Sequence, residues 1–153
     1  MRNFTILLLV GLVMSAALPA EAQRPQPAKQ VSHNTPEGGT FAVAGDPGHV
    51  DELLSPLPTG ARRVESADEA DVVLFFTTER SELERAIEPL GAAIFPDRML
   101  WIAWPKRASK VPTDVTEDVV REVALPTGLV DTKVAAIDAT WSGLRLVIRK
   151  ELR

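Results

Sequence analysis

The sequence predicts an α/β fold of three layers: a mostly parallel sheet between helices, closed by an antiparallel hairpin strand at the C-terminus. Three observations carry that expectation. The runs DVVLFF (residues 71–76) and MLWIAW (residues 99–104) are continuously apolar and rich in β-branched and aromatic residues, as strands buried on both faces are. Segments with helix-period apolar stripes alternate with them. The last run, LRLVIRK (residues 144–150), alternates with period two instead, the pattern of a strand with two unlike faces. Regular alternation of strand and helix implies a sandwich with right-handed crossovers. A chain of 153 residues, 45% hydrophobic and 25% charged, has room for one such core.

The first segment is read as a targeting signal. Arg2 supplies the positive start, residues 4–20 are nearly all apolar, and Ala20-Glu21-Ala22 is an A-x-A cleavage pattern. Residues 1–22 are therefore expected to be removed, and the mature chain to be exported to the periplasm or beyond. If the signal is not used, the protein is cytoplasmic. Residues 23–39 (QRPQPAKQVSHNTPEGG) lack any apolar period and read as a flexible Pro/Gln-rich linker. Residues 40–153 form the domain.

Within it, FAVA (residues 41–44) is a strand stopped by the turn Gly45-Asp46-Pro47-Gly48. Val50, Leu53, Leu54 and Leu57 make one stripe of a short helix, closed by Pro56 and Pro58. Residues 62–65 are a weak edge strand. After the 71–76 strand, Ser81 and Glu84 form a capping-box pattern. Leu83, Ala86, Ile87 and Leu90 form the buried stripe, and Gly91 is the expected stop. The strand at 99–104 ends at Pro105, and a basic loop follows. Asp114 with Glu117 is a second cap signal, with Val115, Val119 and Val123 on the helix face, ended by Pro126 and Gly128. Residues 132–138 and 144–150 are the last two strands, joined closely enough for a hairpin.

The composition excludes several chemistries. Without cysteine there is no disulfide, thiolate metal site or cysteine nucleophile. With only His33 and His49, and carboxylates that lack calcium-loop spacing, no metal site is expected. A net charge of -4 and a pI near 5.2 argue against nucleic acid as partner. No membrane contact is expected once the signal is cleaved. Ser142 lacks a G-x-S-x-G context and has a single histidine in the domain to call on, so a serine hydrolase is disfavoured.

Ligands of open α/β sheets bind outside the carboxyl ends of the strands. Four segments should meet there: the Gly45 turn, Thr77-Thr78, Trp104 with Lys106 and Arg107, and Asp138 with Trp141, Ser142 and Gly143. Gly45 stands where a nucleotide would approach the backbone, but Asp46 and Pro47 suit a phosphate poorly. Lys106 and Arg107 beside Trp104 could hold an anion or stack on a ring, or could simply be a solvated loop. Trp141 could line a site or roof the core.

The segments MLWIAWPKRASK (99–110), TEDVVREVALPTGLVDTKVAAID (116–138) and TWSGLRLVIRKELR (140–153) carry a resemblance. From Ala70 to Arg153 the chain resembles the bacterial family called domain of unknown function 3052. The resemblance implies a compact α/β domain, marks Trp104, Pro105, Lys106, Glu117, Asp118, Trp141, Ser142 and Gly143 as motif positions, and supplies no catalytic residue or cofactor. Members of that family generally look cytosolic and begin without a signal segment, unlike this chain. The element order is also similar to the Rossmann-like fold of class I methyltransferases. The few residues between Glu65 and Asp71 leave no room for that fold's usual extra helix and strand. The reading that follows is a domain, non-enzymatic or binding a small anionic or aromatic ligand or a protein partner. The alternatives are a degenerate S-adenosylmethionine-dependent methyltransferase and a tethered interaction module.

Overall fold

A computed structural model describes residues 36–153 of the chain. The predicted signal and all but the end of the predicted linker lie outside the described residues. The elements run β1 (Thr40–Ala44), α1 (Val50–Leu54), β2 (Arg62–Arg63), β3 (Val72–Phe76), α2 (Arg80–Ala93), β4 (Met99–Pro105), α3 (Glu117–Ala124), β5 (Leu129–Ala136) and β6 (Trp141–Ile148), with short 3-10 turns between several of them. They form one six-stranded sheet in the order β2-β1-β3-β4-β6-β5. The first four strands of that order are parallel. β6 runs antiparallel between β4 and β5. This is the Rossmann-like, methyltransferase-like sheet that the sequence predicts.

β3 and β4 sit at the centre because their sequence leaves no polar face: all five residues of β3 are buried. Side-chain alternation splits the core in two. Val73, Phe75, Leu100, Ile102 and Trp104 face α2 and α3, packing on Leu83, Ile87, Val120 and Ala124. Val72, Leu74, Phe76, Trp101 and Ala103 face the other way, toward Val50 and Leu54 of α1 and toward Ile137 and Trp141. Each fully buried aliphatic side chain contributes about 1.5–3 kcal/mol.

Several local expectations are corrected. Helix α1 stops at Leu54, before Leu57, because Ser55 precedes a proline and is extended at ψ 139°. The Ser81–Glu84 capping box does not form. Helix α2 begins at Arg80, whose N–H donates to the Asp114 carboxylate at 2.7 Å, while the Thr77 hydroxyl accepts from Glu79 N–H. Asp114 thus caps α2 and not α3, whose N-cap is Thr116, accepting from the Val119 N–H. Gly91 does not end α2, which continues to Ala93 and buries it. β5 begins three residues early, at Leu129, and takes a register irregularity between Asp131 and Lys133. β6 likewise begins at Trp141, earlier than the alternation from Leu144 indicates. At the linker end, Gly38 and Gly39 are already hydrogen-bonded to Thr59 and Arg62.

β6 enters between β4 and β5 through Gly143, opposite Ala103 and Ala135. A Cβ there would lie 2.9 Å from Ile137 Cδ1 and 3.1 Å from Trp101 Cε3. Overpacking of this kind costs about 1–3 kcal/mol. Gly143→Ala is expected to lower unfolding stability by that amount, read from the midpoint of a urea denaturation curve.

Candidate functional site

The carboxyl ends of β1, β3 and β4 and the start of β6 share one edge of the sheet, where open α/β folds place ligands. The sheet divides this rim into two halves. Trp104 lies opposite Ser142, and Pro105 opposite Trp141. Trp104 therefore belongs to the α2/α3 face and Trp141 to the α1 face. The expectation of one site bearing Trp104, Lys106, Arg107 and Trp141 together is corrected on this ground: alternation along paired strands puts the two indoles on opposite sides.

On the α1 half the turn after β1 is tightly packed. Gly45 takes φ +65°, and a Cβ there would collide with the Phe76 carbonyl oxygen. The glycine serves close packing of the β1 end against the β3 end. Asp46 accepts from the Gly48 N–H at 2.7 Å and from Arg63 Nη2 at 3.0 Å. Burial works against its charge, but these bonds outweigh it and hold the carboxyl below its ordinary range. Arg63 also binds Asp51 at 3.1 Å. Helix α1 has five residues and no side-chain cap, so its dipole is short. At this corner the Gly48 N–H is already satisfied, by the carboxylate of the exposed Asp46.

Beside it, Asp138 ties three elements together. Its Oδ1 accepts from the N–H groups of Thr140 (2.7 Å) and Trp141 (2.6 Å). Its Oδ2 pairs with His49 Nε2 at 3.0 Å. Lys106 Nζ donates to the Asp138 carbonyl, and Lys106 N–H to the Thr140 carbonyl. Trp141, so placed, meets Phe76 edge-to-face at 5.1 Å, a contact worth about 0.5–1.5 kcal/mol beyond its buried area. Asp138, Lys106 and Trp141 therefore hold the hairpin to the rest of the rim. His49 was legible only as the single histidine of the domain. Its partner lies 89 residues away, and no local pattern announces the pair.

The α3 half is open. A groove of about 710 Å³ is walled by Trp104, Lys106, Arg107, Thr116, Glu117 and Ser142, with Thr113 and Val115 beneath the loop. It gathers four of the sequence-predicted residues, Trp104, Lys106, Arg107 and Ser142, and leaves out Gly45, Asp138 and Trp141. Arg107 is exposed, and among the described residues its guanidinium has no hydrogen-bond or ion-pair partner. The acids of the wall differ: Glu117 is paired with Arg121 at 2.6 Å, whereas the Asp118 side chain is 91% exposed. The loop after β4 that brings Thr113, Thr116, Glu117 and Asp118 to this wall is tied to the end of β3, with Asp114 N–H and Thr113 Oγ1 both donating to the Thr78 carbonyl. Among the described residues no group of histidines and acids is arranged to hold a metal ion.

No family model matches the chain. No curated protein matches it either. Solved structures do. A SAM-dependent methyltransferase from Aquifex aeolicus matches with TM-score 0.56 at 14% identity, over 80% of this chain and 89% of that one. A possible exported protein from Bordetella parapertussis matches with TM-score 0.55 at 8% identity, over 80% of this chain. A protein of the NADB-Rossmann superfamily from Streptococcus agalactiae matches with TM-score 0.52 at 9% identity, over 83% of this chain and 69% of that one. The match spans 65% of the Bordetella protein's length. At these identities the likeness shows the fold: a Rossmann-like sheet of the methyltransferase kind.

Burial opposes the Asp138 charge, but the bonds from His49, Trp141 and Thr140 prevail and lower its pKa. A carboxyl lowered on folding contributes stability that is full above its unfolded pKa and is lost as pH falls through the folded value. Asp138→Ala, which leaves two N–H groups unpaired, is expected to cost about 1–3 kcal/mol at neutral pH. The deficit should shrink below the carboxylate range, as read from denaturation midpoints across pH.

Proposed function

We propose that this chain is a small-ligand-binding domain without a catalytic step of its own, which takes an anionic or aromatic molecule in the Trp104 groove. The observation that carries this reading is the unpaired Arg107 guanidinium on the wall of an open groove whose floor is a Trp at a strand's carboxyl end. Arginine forks bind carboxylates and phosphates strongly, and an adjacent indole gives an organic body a flat surface. The Gly45 turn supports the same reading, since Asp46 there occupies the Gly48 N–H and would repel a phosphate.

A second reading is a degenerate S-adenosylmethionine-dependent methyltransferase. The strand order and the likeness to the Aquifex aeolicus enzyme favour it. Asp46 in the Gly45 turn and the two-residue β2 weigh against it. The tether and signal pattern further support an exported domain, whether it binds a ligand or a protein partner; intact-mass analysis of cell fractions should find a mature chain beginning at Gln23 outside the cytoplasm.

Calorimetric titration of the wild type and Arg107→Ala against benzoate, phenyl phosphate, nucleotides and S-adenosylmethionine tests the groove. Binding of an anionic probe weakened at least about tenfold in the variant is expected, since a charge-assisted bond is lost. Equal binding by both proteins, or binding of S-adenosylmethionine alone, contradicts it.

A further inference from the structure

The groove presents hydrogen-bond donors that have no acceptor. Trp104 is 6% exposed and lines it, yet its indole N–H makes no hydrogen bond. Trp101, on the opposite face of the same strand, provides the contrast: its Nε1 is fully sealed and unpaired, whereas Trp104 Nε1 is unpaired but not sealed. A donor on so buried a residue, not itself sealed, is available to an occupant of the groove that the residue lines.

The other donors converge on the same space. Arg107 is unpaired, and the Ser142 hydroxyl, beside Trp104 in the ladder, has no partner either. Thr116 Oγ1 accepts from Val119 N–H, which leaves its own hydrogen to give. The first N–H groups of the eight-residue α3 also open here, and helix starts favour negative charge. Two carboxylates, Glu117 and Asp118, line the groove as well. Thr113 Oγ1 has committed its one hydrogen to the Thr78 carbonyl and accepts from Val115 N–H, so it adds no donor. Glu117 is held by Arg121, and Asp118 projects into solvent.

Resting on the ligand-binding reading above, we propose that the groove is an oxyanion site in which the Trp104 indole N–H and the Arg107 guanidinium donate to the same anionic head. The ligand is a carboxylate or phosphate monoester carried on a compact organic body, which the volume of the groove admits. The oxyanion is the shared chemistry, and the head group is the variable to test.

The experiment is a titration of the ¹⁵N-labelled wild-type chain with benzoate, phenyl phosphate and inorganic phosphate, following the tryptophan indole N–H resonances. The Trp104 signal is identified by its absence from Trp104→Phe, which keeps an aromatic ring and loses the donor together with the second ring of the indole. The expected result is a saturable downfield shift of the Trp104 N–H with benzoate or phenyl phosphate, with the Trp141 N–H unmoved, and affinity at least tenfold weaker in Trp104→Phe. Whichever head group binds more tightly assigns the ligand class, and inorganic phosphate alone would remove the organic body from it. If the wild type binds a probe, Arg107→Ala weakens it, and the Trp104 N–H does not move, the indole donor is overturned while the groove reading stands. If no probe binds the wild type, both fall.

Discussion

The insertion of β6 between β4 and β5 is the constraint on which the rest of the molecule depends. A strand that returns antiparallel into the middle of a sheet must have its turn fixed, or its register is open to slip. Asp138 fixes that turn through two backbone N–H groups. The same carboxylate reaches His49 on the β1 side, and Lys106 from β4 grips the carbonyl of the same residue. One residue of the hairpin is thereby bound to two other parts of the rim. Its position decides where Trp141 roofs one face and where Ser142 lines the other.

The two faces then diverge in what they can do. On the α1 side the elements are short. β2 is two residues long, and a 3-10 turn at Ala67–Glu69 carries the chain straight to β3. Asp46, Arg63 and Asp51 form an ion-pair chain across the corner. On the α3 side, the loop after β4 leaves a donor-rich groove over Trp104. A fold of this class supports many functions, and here the argument for function comes from the groove and not from the fold.

Much of the sheet was legible in the sequence because burial on both faces writes an uninterrupted apolar run. DVVLFF and MLWIAW became β3 and β4 with bounds within a residue of those expected. Amphipathic stripes located all three helices, but their ends were set by groups remote in sequence. Asp114 caps a helix 34 residues before it, which no local cap pattern can reveal. The candidate site was half legible. Placing strand ends on one rim gathered Trp104, Lys106, Arg107 and Ser142, which line one groove, while the face each side chain takes depended on the β4–β6 register. That register, and the His49–Asp138 pair, are tertiary facts.

The most direct test of the central claim is chemical-shift mapping of the backbone amides with two ligands in turn, benzoate and S-adenosylmethionine at millimolar concentration. The account predicts that benzoate perturbs residues 104–107, 113–118 and Ser142, and that S-adenosylmethionine leaves the turn from Gly45 to His49 unmoved. Shifts centred on Gly45 to His49 with S-adenosylmethionine, with a silent Trp104 groove, would contradict it and restore the cofactor corner as the working site.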